Sequence, residues 1–167
     1  MKWLLLVSIS LLSFFPLYGE RSSNVIYLDE LINVYDGDTF KANLKGDFQE
    51  LCGNKMSLRI GGIDTPEKRK IKGKVSDLES RAGKLVARYV EDLITSAKQI
   101  DLKNVKRGKY FRFVVDVYLN GESLSEKLIS EGFAKPYNGG QKTKWTEEEL
   151  LWMITTLENP SLVKIYD

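Results

Sequence analysis

Between Asp77 and Lys98 the apolar residues Leu78, Ala82, Leu85, Val86, Tyr89, Val90, Leu93, Ile94 and Ala97 recur at three- and four-residue steps. That spacing is the 3.6-residue period of an α-helix with one apolar face. Ser76 followed by Glu79 is a capping-box start, so the stretch reads as an amphipathic helix of about five or six turns. A helix of this kind must bury its apolar stripe against another layer. The flanking sequence says what that layer is. "NVIYLDELINVYD", "TFKANL" and "MSLRIGGID" precede the helix, while "QIDLKNVKR" and "YFRFVVDVYL" follow it, each enriched in β-branched and aromatic residues with partial alternation.

The punctuation between these segments is equally local. Asp36-Gly37 reads as a tight turn in which glycine supplies a positive φ. "KGDFQELCGNK" reads as a loop. Gly61 and Gly62 mark a bulge or a close backbone approach within the third strand. Asn120-Gly121 closes the last strand, Ser123 and Glu126 cap a short helix ending near Gly132, and Thr146-x-x-Glu149 starts a helix reaching about Glu158. The order β-β-β-α-β-β-α predicts an α+β, mainly β fold. Its expected architecture is a five-stranded OB-type Greek-key barrel with two to three packing helices, whose face and loops commonly bind polyanions.

The first residues, "MKWLLLVSISLLSFFPLYGE", join Lys2 to an apolar run from Trp3 to Leu17. This is the pattern of a secretory signal, shorter than the ~20 residues of a membrane-spanning helix. The expectation is cleavage after about Gly19, giving a secreted or periplasmic domain over 20–167, or a membrane-anchored one if the segment stays. Removing residues 1–19 takes away one lysine and lowers the formal charge from +2 to +1, so net charge by itself says nothing about a polyanionic partner. The distribution says more: "EKRKIKGK" (67–74) and "KNVKRGKYFR" (103–112) are basic, whereas "TEEEL" (146–150) is acidic.

The chain has no histidine, which removes histidine triads, imidazole bases and the usual zinc sites. Cys52 is its one cysteine; it can form no intramolecular disulfide and has no histidine to activate it, so it reads as a loop or core residue. Chemistry must therefore come from carboxylates, arginines, lysines, tyrosines, hydroxyls or a bound metal.

Two acidic stretches stand out. In "VYDGDTF" a turn accounts for Asp36 but leaves Asp38 without a structural reason, since a second acid on the exit strand is poor strand material. In "RIGGIDTPE", Asp64 or Thr65 could cap a helix, with Pro66 and Glu67 in its first turn; yet "KRKIKGKVSD" carries no helical period before Asp77. The alternative is a hard-cation site, with oxygen ligands from Asp38, Asp64 and the Thr65 carbonyl and with Glu67 beside it to orient or deprotonate a water. Arg59 and Arg112 could hold phosphate oxygens bidentately. Arg112 alternates with apolar neighbours as a strand residue would, and neither alternation nor spacing shows that Arg59 meets Asp64.

"DGDT", "R-x-x-x-x-DTPE", "KY-x-R" and "G-F-A-K", in this order from Val34 to Pro136, resemble the staphylococcal nuclease family. The resemblance implies an OB-fold nuclease that uses one Ca²⁺ to hydrolyse DNA and RNA toward 3′-phosphorylated products. It places the metal carboxylates on Asp38 and Asp64, the carbonyl ligand on Thr65, the general base on Glu67 and the phosphate-binding arginines on Arg59 and Arg112. Lys109 and Tyr110 correspond to substrate contacts, Tyr137 to an aromatic that stacks on a base, and Asp36 to an acid near the metal that does not bind it. DNA and RNA are the implied partners of a monomer without a stable protein partner. A non-catalytic OB module that binds single strands or a protein is the alternative. The sequence departs from the family in a longer segment between Asp38 and Arg59, in Phe111 where glycine precedes the second arginine, and in the terminal "ENPSLVKIYD".

Overall fold

A strand whose two faces differ in polarity is stable only if its edges and its apolar face are covered, and this chain covers both by closing a barrel. A computed structural model describes residues 25–70, 72–109 and 111–159; the expected leader over 1–19, Tyr110 and the terminal residues 160–167 lie outside the described residues. The elements in chain order are β1 (Ile26–Asp36), β2 (Thr39–Leu44), α1 (Asp47–Cys52), β3 (Met56–Ile60), β4 (Ile63–Asp64), α2 (Asp77–Ser96), β5 (Ile100–Arg107), β6 (Phe113–Leu119), β7 (Glu122–Ser123), α3 (Leu124–Ser130), β8 (Lys135–Pro136) and α4 (Glu147–Glu158). Strands β3-β2-β1-β5-β6 neighbour one another in that order, and a parallel pairing of β3 with β6, Arg59 opposite Val114, closes the ring. The result is a five-strand mixed barrel with helices packed outside it.

The long first segment alternates imperfectly because β1 is irregular against β2. Its register slips between Leu28 and Glu30, Leu31 and Asn33, and Val34 and Asp36, and each slip bends the strand around the barrel. Val34, Phe40, Ala42, Leu44, Leu58, Ile60, Leu102, Val115 and Val117 are buried. Helix α2 buries Ala82, Val86, Ala87, Val90 and Ile94, the face that its periodicity marks. The Ser76 hydroxyl accepts the Glu79 N–H at 3.0 Å, as a capping residue should. The α4 box is reciprocal: Thr146 Oγ1 accepts the Glu149 N–H at 3.2 Å and Glu149 Oε2 accepts the Thr146 N–H at 2.8 Å. Among the described residues no helix is long and apolar enough to cross a membrane.

Four details differ from the sequence reading. The 45–55 connection contains the short helix α1, set between Gly46 (φ 69°) and Gly53 (φ 78°), and Cys52 lies half-exposed at its end. The third strand does not run through Gly61-Gly62: β3 stops at Ile60, Gly62 turns at φ 79°, and β4 leaves the barrel to pair with β8. Arg112 is not a strand residue but the last residue of the β5–β6 loop, its N–H bonded to the Lys109 carbonyl at 3.3 Å. Gly37 is not in the left-handed region; it serves room instead, because a Cβ there would lie 2.6 Å from Val86 Cγ1 and 3.0 Å from Thr65.

Candidate active site

The two acidic stretches meet where the barrel strands end. Asp38 sits in the tight turn between β1 and β2, and Asp64 at the end of β4, and both are buried. Arg59, from β3, joins them. Its Nη1 lies 2.8 Å from Asp38 Oδ1 and its Nη2 3.7 Å from Asp64 Oδ1. The turn at Gly61-Gly62 makes this possible by folding the chain back, so that Arg59 Nη2 also donates to the Ile63 carbonyl at 3.1 Å. Thr39 Oγ1 donates to Asp38 Oδ1 at 2.7 Å. Burial nevertheless raises the Asp38 carboxyl above the ordinary carboxylate range, against the pull of Arg59 and of the Thr39 hydrogen bond.

Glu67 is held beside this pair by a bracket of backbone contacts rather than by a helix. Its N–H donates to Glu79 Oε1 at 3.4 Å, the Lys68 N–H to Asp36 Oδ1 at 3.1 Å, and the Ser80 hydroxyl to the Lys68 carbonyl at 2.8 Å. Asp36 and Asp38 therefore have different tasks: Asp36 anchors the 65–68 segment, and Asp38 faces Arg59. Burial also raises Asp36 and Glu79 above their usual ranges, with the neighbouring Glu67 adding to both.

Lys142 is the residue that the sequence reading missed. It lies on the loop between β8 and α4, and its ammonium is 2.7 Å from both Asp64 Oδ1 and Glu67 Oε1. Burial works against its charge, but the two carboxylates outweigh it and hold the ammonium above the ordinary lysine range. Nothing in local spacing could find it, because Lys142 is 75 residues from Glu67 and its neighbours "NGGQKTK" read as loop. Neither cationic approach to Asp64 Oδ1 has hydrogen-bond alignment, and Thr65 Oγ1 is likewise buried without a hydrogen bond among the described residues. Asp38 and Asp64 thus offer buried carboxylate oxygens to positive charge, which suits a hard cation. Among the described residues no group of three or more His, Cys, Asp or Glu side chains forms a metal cluster, so a cation here would need backbone carbonyls or water beside Asp38 and Asp64.

Of the remaining sequence-predicted residues, Lys109, Arg112 and Tyr137 line one cleft of about 940 Å³ together with Asp38, Arg59, Thr65 and Glu67. No carboxylate among the described residues pairs with Arg112, leaving its guanidinium open to an anion. The Tyr137 ring packs under Arg59 at 5.7 Å, while its N–H donates to the Gly62 carbonyl at 2.8 Å. Tyr110 lies outside the described residues.

This geometry has counterparts elsewhere. The chain is 34% identical over 102 residues to the SPbeta prophage-derived endonuclease YokF of Bacillus subtilis, covering 60% of this chain and 31% of that protein. It is 33% identical over 113 residues to endonuclease YncB of the same organism, covering 64% and 48%. It is 29% identical over 106 residues to the thermonuclease of Staphylococcus hyicus, covering 64% and 57%. The chain thus spans between about a third and somewhat over half the length of these curated relatives. Residues 57–154 match the sequence profile of the staphylococcal nuclease homologues, and with that match covering more than half of it the chain belongs to the staphylococcal nuclease family.

Proposed function

We propose that the chain is a Ca²⁺-dependent phosphodiesterase that hydrolyses DNA and RNA to 3′-phosphorylated products, exported by its N-terminal segment. The observation that carries this reading is the meeting of Asp38, Asp64 and Arg59 beside Glu67, in a cleft that also holds Arg112. Family membership and relatives named as endonucleases and thermonuclease support it.

Asp38, Asp64 and the Thr65 carbonyl would hold the cation, which when bound supplies Lewis-acid neutralisation of the phosphoryl oxygens. Arg59 and Arg112 grip the non-bridging oxygens with planar forks that keep their charge at working pH, and this matters most as negative charge builds in the transition state. Glu67 orients a water and takes its proton as the oxygen attacks phosphorus. The P–O5′ bond breaks, the 5′-oxygen takes a proton from solvent, and the phosphate stays on the 3′ side. Lys109 and Tyr137 flank the substrate path.

The test is digestion of plasmid and of single-stranded DNA and RNA, with Ca²⁺ or with a chelator. Cleavage in Ca²⁺ alone is expected, with Asp38→Ala and Glu67→Ala folded but slower by roughly 10²-fold or more. Retardation without cleavage under both conditions would mean a binding module, and a Glu67→Ala enzyme at the wild-type rate would remove the proposed base.

A further inference from the structure

The β5–β6 loop carries a residue that its backbone does not want. Arg107 and Phe113 pair across the two strands at the base of the loop; the Gly108 N–H bonds to the Arg112 carbonyl at 2.8 Å. This geometry puts Phe111 at φ 56°, in the left-handed region. A hairpin loop often needs one left-handed residue, and glycine fills it without strain, whereas a bulky aromatic there is an outlier. The ring gains nothing from packing in return: Phe111 is 84% exposed. Among the described residues the ring meets the Arg107 guanidinium, 5.4 Å from the ring centre. The ring therefore carries a cation nearby while most of its surface meets solvent.

The surroundings suit one kind of ligand. Lys106, Lys109 and Arg112, from the same hairpin, line the cleft that leads to Asp38 and Glu67, and Phe111, which does not itself line it, stands in the chain next to Arg112 at its entrance. A row of cations alongside an exposed aromatic face is how proteins hold an unpaired strand, the phosphates following the charge and a base lying on the ring. Arg107 adds a cation–π contact to the ring, 5.4 Å from its centre, which favours keeping the ring where it stands. In a duplex the base faces are stacked on one another and unavailable to the ring. We infer that Phe111, backed by Arg107, is a stacking platform for an unpaired base of a single-stranded nucleic acid entering the cleft. The inference rests on the proposed nuclease reading for its choice of ligand.

Phe111→Gly separates this role from a structural one, because glycine relieves the left-handed backbone while deleting the ring. Binding is measured by fluorescence anisotropy in chelator, against an oligothymidylate and against an abasic strand of equal length, which keeps the phosphates without the bases. Phe111→Gly should weaken oligothymidylate binding by roughly 5- to 150-fold, equivalent to about 1–3 kcal/mol. Abasic binding should be unchanged, the melting temperature equal or higher, and Phe111→Trp should retain the wild-type preference. Equal loss on both probes would assign the ring to placing Arg112, and lower thermal stability would assign it to the fold; either overturns the platform, as would wild-type binding by the glycine variant. Wild-type digestion in Ca²⁺, run in parallel, separates the two failures: no cleavage ends the nuclease reading, whereas cleavage without the probe contrast ends only the platform.

Discussion

Gly83→Ala tests whether helix α2 positions Glu67. In an exposed helix interior, alanine in place of glycine stabilises by about 1 kcal/mol, since glycine loses more backbone freedom on folding. Gly83 is buried on the α2 face that meets the 65–68 segment. A Cβ there would lie 2.6 Å from the Pro66 oxygen and the Glu67 carbonyl carbon, and 2.7 Å from the Glu67 oxygen, where ordinary contact begins at 3.4 Å. Those atoms are backbone, so no rotamer can absorb the overlap. The segment must retreat by roughly 0.8 Å or the helix must move away, and overpacking of this kind costs about 1–3 kcal/mol. The net effect is a loss of about 0–2 kcal/mol instead of a gain, readable by urea denaturation. The activity consequence is larger: displacing a catalytic group by about 1 Å can cost ~10²-fold, so a drop in kcat of several tens of fold is expected, with KM little changed. Rates are to be compared at a temperature where both proteins are fully folded. A Gly83→Ala protein about 1 kcal/mol more stable than wild type, with an unchanged kcat, would refute the reasoning.

Three further outcomes follow from the same contacts. Arg59→Met leaves Asp38 and Asp64 buried without their shared guanidinium, which should cost about 3–5 kcal/mol in chelator; added Ca²⁺ should return part of it, and wild-type stability in chelator would contradict the pairing. Lys142→Gln removes the ammonium that competes for Asp64 and Glu67, so calorimetric titration should show Ca²⁺ binding tighter by about tenfold; equal or weaker binding would show that Lys142 and the ion do not share the site. Although burial opposes it, hydrogen bonds from Lys135 and Thr146 hold the Glu149 carboxyl below its ordinary 4.5. A depressed folded value means stability that is present above the unfolded pKa and lost as pH falls through the folded one. Glu149→Gln should therefore cost about 0.5–1 kcal/mol at pH 7, a modest figure because the side chain is 38% exposed. That difference should shrink in urea melts as pH falls below the ordinary carboxylate range, and a gap independent of pH would remove the ionic part of the box.

What the sequence reveals is what is local. The period of α2, the capping residues Ser76, Ser123 and Thr146 and the Asn120-Gly121 turn each depend on neighbours within a few residues, and each stands in the structure as read. Alternation in "YFRFVVDVYL" puts Arg112 on the strand because it runs on past the point where Phe111 turns the backbone left-handed. The join of Arg59 to Asp64 was hidden for a related reason. Counting along a strand assumes that the strand goes on, whereas Gly61-Gly62 ends it and folds Ile63 back against Arg59. The parallel closure of β3 on β6 and the reach of Lys142 to Glu67 are long-range pairings, and no local pattern encodes those.

The Asp36-Gly37-Asp38 turn shows how local and distant demands share one motif. As a hairpin signal it calls for glycine to supply a positive φ, yet Gly37 keeps an ordinary φ and is required because Val86 and Thr65 occupy the space a Cβ would take. The same lack of a side chain lets α2 and the Thr65 segment close over the turn. That closure brings the Lys68 N–H onto Asp36 and buries Asp38 against Arg59. Substituting Gly37 would therefore press on the helix, the ligand segment and the acid pair together, so the turn belongs to the site as much as to the barrel.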